Sequence, residues 1–202
     1  MSLWAIVPVK PLRRGKSRLS DVLTEEERIE LNKRLLVATV ETLKQVKSID
    51  QILVVSRDPE ALAAARGAGA RTLLENGHPE LNVGLTRAAM VASVYKAHGV
   101  LVMPADLPLL DPEDVQAMIA LSKPAPSVVI APDRRSEGTN ALLLIPPDII
   151  AFDYGPGSFQ RHCERARIAG AQLDVIEANS LALDLDVPED LQLLELKLLN
   201  QD

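Results

Sequence analysis

Short apolar runs alternate with longer segments of helical periodicity along almost the whole chain. The apolar runs predict strands at residues 3–9, 52–55, 71–74, 100–103, 128–131 and 140–145. The periodic segments predict helices at residues 24–47, 59–66, 82–97, from 111 onwards, 158–169 and 188–199. Thr24 and Glu27 have the spacing of a capping box, and Asp111 before Pro112 suits a helix start.

This alternation predicts an α/β fold. Strands joined by helices form right-handed βαβ units, so we expect a Rossmann-like, mostly parallel central sheet with helices on both faces. Residues 1–202 are expected to form a single domain, because the length suits one core and no linker or repeat interrupts the pattern. Ligands of such folds bind at the carboxyl ends of the strands, so the loops there hold the candidate chemistry.

Composition narrows the function classes. Hydrophobic residues make up 47% of the chain and aromatic residues only 2%, which predicts a packed core of aliphatic side chains. The net charge of −6 and the few aromatic rings argue against a nucleic-acid surface. A single cysteine excludes an internal disulfide framework and a Cys-rich zinc site. The apolar runs are too short for a signal peptide or a membrane span, so a cytoplasmic protein is expected.

The loop after the first predicted strand is strongly basic, although the chain as a whole is acidic. Its cations fall within nine positions and are Lys10, Arg13, Arg14, Lys16 and Arg18. Such a cluster suits the oxygens of a triphosphate. A Walker A loop would end like the segment Gly15-Lys16-Ser17, but position 10 lacks the glycine it requires, and one glycine cannot make a dinucleotide fingerprint. A solvated basic loop is the plain alternative.

Two groups of carboxylates lie at predicted element boundaries. Asp106 follows the fourth apolar run and stands between Pro104 and Pro108, which stiffen the turn. Asp184 and Asp186 alternate with leucines, so both can face one side of an extended segment. Mg²⁺ prefers one or two carboxylates together with phosphates and water, so these residues predict a magnesium site. Alternatively, Asp106 only shapes its turn and Asp186 only caps the following helix.

A glycine-rich loop before the predicted helix at 158–169 suits a second anion. Gly155 allows a close approach of the backbone, and Ser158 stands at the helix N-terminus, which carries partial positive charge. Thr139, which precedes an apolar run, can donate to the same anion. Ordinary turn and cap chemistry explains these residues equally well.

The histidines and the cysteine carry no chemistry in this interpretation. His78, His98 and His162 are widely spaced, form no metal-ligand pattern and are expected at the surface or in turns. Cys163 is adjacent to His162, but neighbouring positions on a helix point in different directions and cannot easily act together. Cys163 is therefore expected to be structural.

Taken together, these segments resemble the guanylyltransferases of deazaflavin coenzyme biosynthesis, which act on 2-phospho-L-lactate or phosphoenolpyruvate. The resemblance extends over nearly the whole chain and is carried by residues 6–10, 16–19, 104–108, 138–142, 155–159 and 183–186. Its specific motifs are Gly-Thr-Asn-Ala-Leu at 138–142 and Gly-Pro-Gly-Ser-Phe at 155–159. The basic loop and the lone aspartate turn occur widely in MobA-like nucleotidyltransferases. The implied fold is of the nucleotide-diphospho-sugar transferase type.

The resemblance implies a magnesium-dependent enzyme of coenzyme F-420 biosynthesis that transfers GMP from GTP to phosphoenolpyruvate or 2-phospho-L-lactate and releases pyrophosphate. Lys16 and Asp106 would be the catalytic residues. The residues that would bind the nucleotide are Lys10, Arg13, Lys16, Arg18, Asn82 and Gly84. The residues that would bind the acceptor are Thr139, Gly155 and Ser158. Asp106 would bind Mg²⁺, with Asp186 as the preferred second ligand and Asp184 as the fallback. A homodimer is compatible with this interpretation.

The sequence is also compatible with other functions. One is a MobA-like or sugar-type nucleotidyltransferase with another phosphorylated acceptor, and 3-phosphoglycerate is a further candidate acid. Another is a nucleotide-binding regulatory protein without turnover. The first loop departs from the sugar enzymes because Gly15 is its only glycine, so side chains must supply more of the contacts to a triphosphate.

Overall fold

A computed structural model describes residues 2–77 and 80–199, and His78 lies outside these ranges. The strands are β1 (Ser2–Val9), β2 (Gln51–Ser56), β3 (Arg71–Leu74), β4 (Ala97–Val102), β5 (Ser127–Pro132), β6 (Thr139–Ile145) and β7 (Gln172–Val175). The helices are α1 (Glu25–Gln45), α2 (Pro59–Gly67), α3 (Leu81–Val94), α4 (Pro112–Ala120), α5 (Ser158–Ile168), α6 (Asn179–Ala182) and α7 (Pro188–Leu199). A short 3-10 helix, Ser17–Leu19, follows β1.

The strands form one sheet in the order β3-β2-β1-β4-β6-β5-β7. Among the described strands only β6 runs antiparallel to its neighbours, because residues 133–138 join it to β5 as a hairpin. The other pairs are parallel, so the prediction of a mostly parallel sheet is confirmed. The carboxyl ends of the parallel strands, the β5–β6 turn and the start of β6 therefore share one edge of the sheet.

Alternate side chains of the strands form two cores, one on each face of the sheet. Ala5 and Val7 of β1 point to the face covered by α1, α2, α4 and α6, whereas Trp4 and Ile6 point to the face covered by α3 and α5. Both cores consist mainly of aliphatic side chains, as the low aromatic content requires. Helices on both faces of the sheet are thus confirmed.

The predicted helix starts are also confirmed. Thr24 and Glu27 form a capping box at α1, and Asp111 accepts a hydrogen bond from the Glu113 amide at the start of α4. Two elements were not predicted. Strand β7 has only four residues, which alternate in polarity, and α6 is a single turn, so neither gives a long apolar or periodic segment. Within the described ranges, no helix combines the length and the apolar character needed to cross a membrane.

Candidate functional site

The basic loop after β1 folds back onto α1. Leu12 and Leu19 are buried, and the side chain of Asn32 donates a hydrogen bond to the Leu12 carbonyl oxygen at 2.8 Å. Gly15 packs so closely on Asn32 that a Cβ there would lie 2.5 Å from its Nδ2 atom. Lys16 follows with a φ of 56°, a left-handed conformation that is costly for lysine. The loop therefore fixes the backbone of Lys16 in one place.

Lys16 makes the central contact of the site. Its side chain is 6% exposed, and its Nζ atom lies 3.1 Å from Oδ2 of Asp106, in the turn after β4. The side chain of Asp106 is 36% exposed, so the cation is buried while the carboxylate is open to solvent. Leu107 is buried and anchors the turn. The structure thus brings together the two residues that were predicted to be catalytic.

The acidic segment before α7 lies against the same turn. The Leu185 amide donates to the carbonyl oxygen of Asp106 at 2.9 Å, which places Asp184 and Asp186 beside that residue. Arg18 of the first loop reaches this segment, with Nη1 2.7 Å from Oδ2 of Asp186. The basic loop therefore contacts both segments that were predicted to hold a metal.

Asp184 lies in a surplus of negative charge. Burial raises its pKa above the usual range, and the charges of Asp106, Asp190 and Asp133 raise it further. A divalent cation would relieve this repulsion, and aspartates beside a phosphate site are the donors that Mg²⁺ prefers. The residues present therefore fit a magnesium ion. In the described part of the chain, no three His, Cys, Asp or Glu side chains form a ready ligand cluster, so phosphate oxygens would have to complete the coordination.

Asp190 is a residue of the site that the sequence reasoning missed. Its side chain is 3% exposed, and its Oδ2 atom accepts hydrogen bonds from the amides of Asp186 and Val187 at 2.9 and 2.8 Å. Its Oδ1 atom lies 2.5 Å from Nη2 of Arg134 in the β5–β6 turn. Asp190 thus holds residues 186–187 in place. Its position in the first turn after Pro188 is the signal for this capping role.

A cavity of about 150 Å³ opens between the acidic segment and the β5–β6 turn. Its charged lining consists of three arginines and five carboxylates: Arg18, Arg134 and Arg135, and Asp133, Glu137, Asp184, Asp186 and Asp190. Guanidinium groups suit the oxygens of phosphate or carboxylate, and the aspartates suit a cation beside them. The cavity therefore has the chemistry to hold an anion next to a metal ion.

Two of the residues predicted to bind the acceptor are in direct contact. The Thr139 amide donates to Oγ of Ser158 at 3.0 Å. Thr139 is 6% exposed and Ser158 is 2% exposed, so both hydroxyl groups are buried. Gly155 begins the turn before α5 with a φ of 132°, which favours glycine. The structure thus joins the start of β6 to the N-terminus of α5, and the contact of these residues with an acceptor stays a prediction.

The expectation that His162 lies at the surface or in a turn is wrong. The ring is fully buried, its Nδ1 atom lies 2.9 Å from Oγ1 of Thr139, and its Nε2 atom accepts a hydrogen bond from the Asp153 amide at 3.0 Å. Because both nitrogens have partners, burial leaves neither of them unsatisfied. His98 is half-buried in β4 rather than in a turn. Cys163 is buried, as expected for a structural residue.

Two of the cations predicted to bind the nucleotide face solvent. Lys10 is exposed, and the exposed Arg13 pairs with Glu25 of α1 at 3.1 Å. Neither residue contributes to the contact between Lys16 and Asp106. Their role in binding a nucleotide stays a prediction.

The residues predicted at the guanine edge lie in the first turn of α3. The amide group of Asn82 accepts a hydrogen bond from the Tyr154 backbone at 2.7 Å and donates one back at 3.2 Å. Gly84 is buried, and a Cβ there would lie 2.5 Å from Oε1 of Glu75. Asn82 therefore fixes the loop before α5, and Gly84 leaves room for Glu75.

The chain matches a known family over almost its whole length. The model of the family described as "Guanylyl transferase CofC like" matches residues 3–200. The phosphoenolpyruvate guanylyltransferase of Rubrobacter xylanophilus is 43% identical and covers 96% of this chain and 94% of its own length. The 2-phospho-L-lactate guanylyltransferase of Methanothermobacter thermautotrophicus is 34% identical and covers 95% of this chain and 83% of its own length.

Solved structures support the fold. A protein from Desulfovibrio desulfuricans G20 assigned to the nucleotide-diphospho-sugar transferases superposes with a TM-score of 0.77 at 19% identity, and the match covers 96% of this chain and 87% of that chain. At this identity the likeness shows the fold alone. It confirms the fold type that the sequence predicted.

Proposed function

The chain belongs to the family of CofC-like guanylyl transferases, and from this premise we propose that it transfers GMP from GTP to a phosphorylated three-carbon acid with release of pyrophosphate. Phosphoenolpyruvate and 2-phospho-L-lactate are the candidate acceptors, because relatives of the chain carry both names. The more similar of these two relatives is named for phosphoenolpyruvate, which is therefore the acceptor we favour. Residues 1–202 would act as a single nucleotidyltransferase domain.

The contact between Lys16 and Asp106 is the observation that supports this proposal most. It joins a buried cation of the basic loop to a carboxylate at the carboxyl edge of the sheet. The cation suits the triphosphate of GTP, and the carboxylate suits a metal ion bound to the same phosphates. Nucleotidyl transfer requires this combination, because its catalysis rests on positioning and on neutralising charge.

Lys16 and Arg18 are proposed to hold the triphosphate, with Lys10 and Arg13 assisting from the outer part of the loop. Arg18 is 70% exposed, and an exposed ion pair contributes at most about 1 kcal/mol. The guanidinium group can therefore exchange Asp186 for a phosphate oxygen at little cost.

The guanine edge is proposed to lie at the start of α3. Asn82 would act there by fixing the Tyr154 backbone, since its amide group is already engaged. Gly84 would leave open the space that a side chain at this position would fill. Both residues would thus shape the base site.

Mg²⁺ is proposed to bind at Asp106, with Asp186 as its partner and Asp184 as the fallback. When bound, the ion would neutralise charge on the attacked phosphate and on the leaving pyrophosphate. Asp190 would keep Asp186 in position through its hydrogen bond to the Asp186 amide.

The chemistry needs no general base. The phosphate of the acceptor has a second pKa of about 6, so it is ionised at neutral pH and its oxygen can attack the α-phosphorus of GTP. A bond forms between this oxygen and the α-phosphorus, and the bond to the oxygen that bridges to the β-phosphorus breaks. Pyrophosphate leaves with that electron pair. Thr139, Gly155 and Ser158 are proposed to hold the acceptor during this step.

We propose that this activity serves the biosynthesis of coenzyme F-420, because the motifs at 138–142 and 155–159 resemble the enzymes of that pathway. The cytoplasm is the proposed location of the enzyme. A homodimer is compatible with the proposal. Sedimentation of the purified protein would give the oligomeric state.

Pyrophosphate release tests the proposed function. Purified protein with Mg²⁺ is combined with GTP, ATP or CTP and with phosphoenolpyruvate, 2-phospho-L-lactate or 3-phospho-D-glycerate. We expect release with GTP and one of the first two acids. Release with another nucleotide or only with phosphoglycerate would change the assigned substrate, and GTP binding without release from any pair would favour a regulatory protein.

A further inference from the structure

His162 connects the two elements that form the proposed acceptor site. The ring is carried by α5 and contacts Thr139 at the start of β6 and Asp153 in the loop before α5. We propose that His162 is a positioning residue that orients the Thr139 hydroxyl group so that its proton is free to donate to the acceptor anion. This inference rests on the proposed function, since it assigns a role within the acceptor site of that reaction.

The hydrogen-bond partners of His162 determine its tautomer. A backbone amide only donates, so the Nε2 atom that faces the Asp153 amide at 3.0 Å is an unprotonated acceptor. The neutral ring then carries its proton on Nδ1, which donates to Oγ1 of Thr139 at 2.9 Å. A threonine hydroxyl group has one proton, and accepting this bond leaves that proton for another partner.

The surroundings of the ring keep it neutral at neutral pH. Burial lowers the pKa of His162 to about 4, and the positive charges of Arg161 and Arg165 act in the same direction. The negative charge of Asp153 opposes them without compensating for burial. Tyr154 packs edge-on against the ring, with 5.0 Å between ring centroids. The ring therefore stays neutral, and the Nδ1 donor persists.

Ser158 adds a second hydroxyl group to this arrangement. Its Oγ atom accepts a hydrogen bond from the Thr139 amide, so its proton is also left to donate. With Nδ1 of His162 protonated, neither hydroxyl proton meets an acceptor within residues 2–77 and 80–199. Both side chains are more than nine-tenths buried, and a buried donor without a partner is unfavourable. Two such donors at the N-terminus of α5 match the oxygens of a carboxylate or phosphate group.

Two substitutions of His162 separate its two contacts. His162→Asn places an amide nitrogen near the position of Nδ1, where it can still donate to Thr139. His162→Gln reaches the position of Nε2, where it can only accept from the Asp153 amide. Cys163→Ala is the matched control, because Cys163 is the next residue of α5 and is buried in the apolar core. The KM values for phosphoenolpyruvate and for GTP are measured for each variant.

We expect His162→Gln to raise the KM for phosphoenolpyruvate about tenfold, the effect of losing one hydrogen bond, with the KM for GTP changed by less than about twofold. His162→Asn should keep the acceptor KM within about threefold of the wild-type value. Cys163→Ala should lower the Tm and leave both KM values unchanged. Equal acceptor KM values for the two His162 variants, or parallel changes of both KM values, would overturn the positioning role.

A spectroscopic measurement on the wild-type protein keeps the inference testable where a variant fails to fold. In ¹⁵N-labelled protein at neutral pH, the NMR spectrum of His162 should show a protonated Nδ1 and a bare Nε2. The opposite tautomer would overturn the inference. Wild-type protein that releases no pyrophosphate with any acid would contradict the proposed function and this inference together. An active wild type with an unaffected His162→Gln variant would contradict the inference alone.

Discussion

The Nζ atom of Lys16 lies 3.1 Å from Oδ2 of Asp106, although the two residues are 90 positions apart in the chain. A loop that packs on α1 holds the lysine, and a turn that follows β4 holds the aspartate. One residue suits the phosphates of the nucleotide and the other suits their metal ion. Each side chain can be substituted separately, so the phosphate-binding residue and the metal-binding residue give separate predictions.

Asp106→Asn should abolish most of the turnover while keeping the fold. The amide has nearly the same shape, but it lacks the charge that binds Mg²⁺, so we expect kcat to fall at least about 100-fold. Asp111→Asn is the matched control, because asparagine caps a helix as well as aspartate does. Circular dichroism checks the fold and pyrophosphate release checks the turnover. A near-wild-type kcat in Asp106→Asn would show that Asp106 is not a ligand of the metal ion.

Lys16→Met should impair the use of GTP. Methionine keeps a flexible apolar stem in the buried position and removes the charge that neutralises the triphosphate. We expect kcat/KM for GTP to fall about 100-fold, with Asp106 remaining hydrated at the surface. Arg34→Ala on the exposed side of α1 serves as the control for loss of a cation. An unchanged kcat/KM in Lys16→Met would rule out a role in the triphosphate site.

Asp190→Ala should destabilise the protein and weaken metal binding. The substitution leaves Arg134 without its partner and two backbone amides without an acceptor, so we expect a loss of about 3 kcal/mol in the free energy of unfolding. Asp174→Ala is the control, because its pair with Lys123 at 3.6 Å is more exposed and contributes less than about 1 kcal/mol. Urea unfolding and titration with Mn²⁺ measure the two effects. Similar losses in both variants would contradict the role of Asp190.

The buried ring of His162 should make the fold sensitive to acid. Its pKa falls from 6.5 to about 4 in the folded protein, so the unfolded chain takes up the proton first as the pH drops. Stability that is present above pH 6.5 is then lost progressively down to about pH 4, by up to ~3 kcal/mol. Urea unfolding between these pH values should show a smaller pH dependence for His162→Asn than for the wild type. The same dependence in both proteins would show that the ring titrates normally.

Much of the fold could be predicted because its signals are local. The apolar run at 3–9, the capping box of Thr24 and Glu27 and the Asp111 cap each depend on a few neighbouring residues. The antiparallel direction of β6 could not be predicted, since an apolar run gives the same pattern in a parallel and in an antiparallel strand. The edge strand β7 escaped because only two of its four residues are apolar.

The candidate site could likewise be predicted only where its signals are local. Lys16, Asp106 and Asp186 were identified from charge and position, and the structure brings their segments together. The burial of His162 depends on the packing of α5 against β6, which no spacing along the chain reveals. Asn82 likewise finds its partner 72 positions away, so its engagement with the Tyr154 backbone could not be inferred locally.

The fate of the acceptor phosphate tests the central claim most directly. Phosphoenolpyruvate labelled with ¹⁸O in its phosphate oxygens is turned over with unlabelled GTP, and the products are followed by ³¹P NMR. We predict a mixed diphosphate with ¹⁸O in the bridge between the guanosine α-phosphorus and the acceptor phosphorus, together with unlabelled pyrophosphate. An unlabelled bridge, or GDP with orthophosphate in place of pyrophosphate, would contradict attack by the acceptor on the α-phosphorus.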